Sequence, residues 1–68
     1  MDEQQHIKQR LTEKIVQLHL ARAEHGLALE AWAKDIENGI LFGNTYQRFI
    51  VADEWLHQLR IDIEKLIT

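Results

Sequence analysis

Four histidines and eleven acidic residues are the groups in this 68-residue chain with which catalysis or metal binding would have to be done. His19 and His25 lie six positions apart, which on a helix points them away from each other, and no His-Glu-x-x-His pattern occurs. Asp53 and His57 are four apart and could share a metal across two subunits. Two ligands fall short of a site, so the plainer reading is a solvated pair on the outer face of a helix. With no cysteine in the sequence, disulfides and thiolate metal sites are excluded, which is compatible with a reducing compartment. An enzyme also needs polar groups converging in a concave pocket, and a two-helix chain offers almost no concavity. No catalytic, cofactor-binding or metal-binding residue is therefore assigned. The chain reads as non-enzymatic, and no cofactor is expected.

The elements that carry these side chains follow from sparse punctuation. There is no proline, and the three glycines are Gly26, Gly39 and Gly43. Asn38-Gly39 suits a left-handed helix end, since glycine has no Cβ to clash at positive φ. Asn44-Thr45-Tyr46-Gln47 fits a capping box, with the Asn44 side chain accepting from free amides and Gln47 reaching back. The expected layout is one helical-hairpin domain over residues 1–68: helix 1 over about 3–38, a turn over 39–44 and helix 2 over about 45–67. The fold class is all-α, an antiparallel two-helix hairpin completed into a bundle by dimerisation or a partner. At about 1.5 Å per residue, helix 1 should overhang helix 2 by about 20 Å through the polar segment Asp2 to Glu13. The apolar Ile40-Leu41-Phe42 at the turn is read as a plug closing the hairpin core, with an exposed contact patch as the other reading.

Helix 1 carries two apolar stripes. Ile7, Leu11, Ile15, Leu18, Leu29, Trp32 and Ile36 share one face at about 100° per residue, and Val16, Leu20, Ala23, Leu27 and Ala31 lie roughly opposite. Helix 2 shows a single seam at steps of three and four: Phe49, Ala52, Leu56, Leu59, Ile63 and Leu66. Trp55 lies beside that seam, and both it and Trp32 are read as core. The first stripe of helix 1, without Ile7, pairs with the helix 2 seam as the intramolecular core. The second stripe, Val16, Leu20, Ala23, Leu27 and Ala31, is left as the partner interface, its alanines permitting close helix approach. Arg22 and His25 interrupt the first stripe, where they would either fix register or snorkel to its edge. Gly26 costs about 1 kcal/mol of helix propensity against alanine and marks a bend or a close contact.

Size supports a need for company. A chain of 68 residues buries only about 60% of its unfolded surface, and without disulfides the remaining staple is self-association or a partner. Hydrophobic content of 46%, charged content of 28% and net charge −3 describe a water-facing globular balance. The eight Lys and Arg residues are dispersed among acids, which weighs against nucleic acid as a partner. No run approaches the roughly 18 apolar residues of a membrane span, and the start lacks a signal-peptide layout, so a cytoplasmic location is expected. The expected partner is protein, either a second copy or a different helical chain.

From Ala31 to Ile67 the layout resembles a known family, the small bacterial type III secretion co-chaperones that help a helical-repeat chaperone keep the needle subunit soluble. The resemblance rests on Gly39, on Tyr46-Gln47 at the start of helix 2, and on the apolar seam through Leu56 and Leu59. It departs in the inserted Ile40-Leu41-Phe42 and in a longer, more polar N-terminal lead. The resemblance implies a hairpin that docks one face on another helical protein. Against it stands a homodimeric four-helix bundle with a regulatory task on a protein or RNA target.

Overall fold

The structure, a computed structural model, describes residues 2–68. Two helices, α1 (Asp2–Glu37) and α2 (Asn44–Ile67), pack against each other as a hairpin 56 Å long. Thr45 reaches Asp35 near the turn and Lys14 reaches Asp62 far from it, so the helices run antiparallel. The fold is all-α.

The turn is built as the Asn38-Gly39 pair dictates. Gly39 adopts φ 86°, its amide donates to the Ile36 carbonyl (3.0 Å), and the Ile40 amide donates to the Asp35 carbonyl (2.8 Å). These two bonds form a Schellman motif, which satisfies carbonyls that the end of α1 would otherwise leave open. The start of α2 differs from expectation. Gly43 is the N-cap and Asn44 already lies inside the helix, so the capping box does not form and no side chain caps this end. Gly43 also sits close to the turn: a Cβ there would approach Ile40 Cγ2 to 3.0 Å, so a larger residue would need the Ile40 side chain to shift by a few tenths of an ångström. Two side chains brace the turn instead. Trp32 Nε1 donates to the Leu41 carbonyl (2.8 Å), and Thr45 Oγ1 donates to Asp35 Oδ2 (2.7 Å).

The α2 seam is as read: Ala52 and Leu59 are buried, and Phe49, Leu56, Ile63 and Leu66 are half-buried. The α1 seam is not. Ile15, Leu29 and Ile36 are exposed, as is Ile7, while Ala21 and Ala28 are covered completely. The face of α1 that meets α2 runs Leu11, Lys14, Leu18, Ala21, His25, Ala28, Trp32, Asp35, a strict alternation of threes and fours. Such spacing keeps a stripe facing one partner along the whole contact. Its members are small or polar in the middle, so the most hydrophobic residues of α1 are not the ones that pack inward. Alanine at the contact lets the axes approach, and the larger side chains of α2 fill the space against it.

The overhang is shorter than expected. Residues 3–10 are exposed, but Leu11 is already half-buried and Lys14 already engages Asp62, so the projecting part ends before Leu11. Trp55 is also displaced from the core, with 41% of its surface exposed.

These packing assignments separate the two possible seams by mutation. Ala28→Leu would overfill the helix contact and is expected to cost about 1–3 kcal/mol. Leu29→Ser, one position away, should cost less, about 1 kcal/mol or below, because nearly half of its side chain already faces water. Urea melts followed by circular dichroism would compare them, and an equal loss in both variants would refute the alanine seam.

Candidate interaction surface

A hairpin of two helices has two broad sides, and in this one each is marked by a cross-helix polar pair. On the first side Arg48 grips Glu24 in a two-point bond, Nε to Oε2 at 2.8 Å and Nη2 to Oε1 at 2.7 Å. On the second side His25 Nε2 donates to Asp53 Oδ1 at 3.1 Å, with the imidazole stacked at a tilt on Phe49. Lys14 and Asp62 close the far end at 3.4 Å, and Gln58 adds a bond to Asp62. The polar pairs fix the rotation of each helix, and that rotation decides which apolar residues face out.

Residues three and four positions from a marker lie beside it on a helix. Leu20 and Leu27 flank Glu24, with Ala31 one turn further. Val51 stands three positions beyond Arg48, and Trp55 seven. The first side is therefore apolar on both helices around one ion pair, with Leu20 and Leu27 56% exposed and Val51 65%. Val16 and Ala23 continue it toward the back of α1, both exposed, while Ala31 is half-buried. The five residues read from sequence as the partner interface thus stand on one open side, but they do not make it alone. Val51 and Trp55 belong to it as well. Their signal in the sequence is their own spacing of four, displaced by one from the Ala52–Leu56 seam, so that they flank the core rather than fill it.

The second side carries Ile15, Leu29 and Ile36, spaced in sevens or multiples of seven along α1. His25 is half-buried at the edge of the helix contact, its ring on Phe49 and its Nε2 turned out to Asp53, whereas Arg22 is exposed. Asp53 is engaged by His25 from the other helix rather than by His57. Among the described residues, no three His, Asp or Glu side chains gather where they could hold a metal ion. A shallow groove of about 290 Å³ lies at the far end, lined by Arg10, Lys14, Asp62, Lys65 and Leu66.

At the turn, Ile40, Leu41 and Phe42 are exposed by 49%, 52% and 74%, so they do not plug the core. The core end is instead closed by aromatic rings: Trp32 meets Tyr46 and Phe49 at centroid distances of 5.1 Å each. Phe42 touches only the outer edge of this cluster, T-shaped on Tyr46 at 5.1 Å. Gly26 has no atom within 4 Å of the place its Cβ would take, so no close approach within the hairpin requires glycine there.

Among the described residues, no helix is long and apolar enough to cross a membrane. Comparison with protein-family models, with curated proteins and with solved structures finds no match to this chain.

The ion pairs give the hairpin an acid-sensitive component. Hydrogen bonds from Arg48 hold the Glu24 carboxyl below its ordinary 4.5, and the carboxylate in turn raises Arg48. Asp62 is held below 3.8, first by the hydrogen bond from Gln58 and then by Lys14. Carboxylates with lowered folded values contribute stability that is present above the unfolded value and lost as pH falls through the folded one. The part of the thermal stability that these two carboxylates supply should therefore be constant above about pH 5 and decline below about pH 4, which melts across that range would read. In Glu24→Gln part of that decline should vanish; a variant with the same acid slope as the wild type would show that this pair does not couple to folding.

Proposed function

We propose that the protein is a non-enzymatic interaction module, a helical hairpin whose Leu20–Leu27 side docks on another helical protein. The observation that carries this reading is the imbalance of its surface. Among the described residues the buried apolar set is Ala21, Ala28, Ala52 and Leu59, while Val16, Leu20, Leu27, Val51 and Trp55 lie exposed on one side. Ile15, Leu29 and Ile36 are exposed on the other side, but the Leu20–Leu27 side is apolar on both helices, and a patch shared by two helices marks a contact surface better than residues scattered singly. The mode is packing of apolar helix faces, with Trp55 and the two leucines as anchors.

The finer reading follows the resemblance at Gly39, Tyr46-Gln47, Leu56 and Leu59: a small cytoplasmic adaptor of the bacterial type III secretion kind, working beside a helical-repeat chaperone. In that role its apolar side would complete a complex that shields an aggregation-prone amphipathic subunit from solvent. The homodimeric bundle is the other reading, and the dispersed cations favour a protein rather than an RNA target for it.

Affinity capture from the source cell with wild type and with Leu20→Glu tests the docking side. A helical protein should be recovered with the wild type and be reduced at least tenfold with Leu20→Glu, a charge that a desolvated apolar contact does not tolerate. Glu54→Gln, on the outer face of α2, should recover it undiminished. Unchanged recovery and unchanged solubility with Leu20→Glu would remove the proposal.

A further inference from the structure

The apolar row of α1 is flanked by charges in a self-complementary order. Glu13, Leu20, Leu27 and Lys34 are spaced by seven, so they form one gently slanting row along the helix, each step drifting by about 20°. All four are exposed, and among the described residues neither Glu13 nor Lys34 forms an ion pair within the hairpin. The midpoint of the leucines is also the midpoint of the charges. A second α1 laid antiparallel about that midpoint sets Leu20 against Leu27, Leu27 against Leu20, and Glu13 against Lys34 at both ends. An isologous contact requires this kind of match, because each surface must complement itself.

The residues at the midpoint suit close approach. Ala23 is small, and the charge of Glu24 is already taken up by Arg48 at 2.7 Å within its own chain, so two copies would not bring free carboxylates together. An 8.0 kDa chain of ordinary compactness exposes about 4,450 Å², whereas this 56 × 15 × 13 Å hairpin exposes 5556 Å², an excess that its elongated shape spreads over both broad sides.

We infer that a second copy of this chain, antiparallel through the Glu13–Leu20–Leu27–Lys34 row, occupies this side of α1 when no other helical partner does. The inference rests on the reading of this side as a docking surface, and it adds that self-pairing and partner binding compete for it. Val51 and Trp55 border the row, so the α2 helices flank the contact and the assembly has four helices.

Sedimentation analysis of the purified protein with paired charge reversals tests it. The wild type should show a concentration-dependent dimer. Glu13→Lys alone, or Lys34→Glu alone, places like charges at both ends and should weaken the dimer by roughly tenfold or more. An equimolar mixture of the two variants restores opposite charges at both ends, and should dimerise to within about twofold of the wild type. Glu54→Lys, away from the row, should change nothing. A wild type that stays monomeric, single reversals without effect, or a mixture no tighter than its components would each overturn the inference. If the wild type is monomeric while Leu20→Glu still abolishes recovery of a helical partner, only self-pairing falls and the docking side stands.

Discussion

Everything in this hairpin is arranged around the close contact made by two alanines. Ala21 and Ala28 are fully covered where α1 meets α2, and a contact that small lets the helices approach but removes little apolar area from water. The consequence is a division of labour. Phe49, Leu56, Leu59 and Ile63 of α2 supply the bulk, α1 supplies the room, and the large apolar side chains of α1 are left to face outward. Polar pairs at Glu24–Arg48, His25–Asp53 and Lys14–Asp62 border the contact and hold its rotation.

That rotation links stability to function. Had α1 turned by one residue toward its most hydrophobic stripe, Ile15, Leu29 and Ile36 would be covered and the ion pairs broken. The observed rotation places the apolar residues on both broad sides of the hairpin. It joins Leu20 and Leu27 to Val51 and Trp55 on one of them, with a neutralised ion pair between. Such a side is apolar enough to associate and ordered enough to select a geometry.

The fold class, the end of α1 at Asn38-Gly39 and the α2 seam are readable in the sequence, because each rests on a strong local signal, whereas the start of α2 is not. Gly39 is needed at positive φ, and Phe49, Ala52, Leu56, Leu59, Ile63 and Leu66 alternate without a break. The α1 seam is hidden in the sequence because its periodicity and its hydrophobicity do not coincide. Lys14, His25 and Asp35 keep the spacing but not the polarity of a core, so the larger aliphatic residues beside them gave the stronger stripe. The error carried into the aromatic and turn residues. Trp55 belongs with Val51 on an open side, and Phe42 lies outside a core already closed by Trp32. The second stripe of α1 was legible as a surplus, whereas the contribution of α2 to that side needed the cross-helix pairs to reveal it.

The concentration of rings next to the turn has a kinetic consequence. Trp32 and Tyr46 are only fourteen positions apart, and the Schellman bonds and the Trp32–Leu41 bond already bend the chain that joins them. The entropy lost in closing a loop grows with its length, so these contacts form at the least cost and those at Lys14–Asp62 at the greatest. Loop-closure entropy therefore favours closing the hairpin from the turn outward. By that order its open end should be the last to form and the first to exchange its amides with solvent.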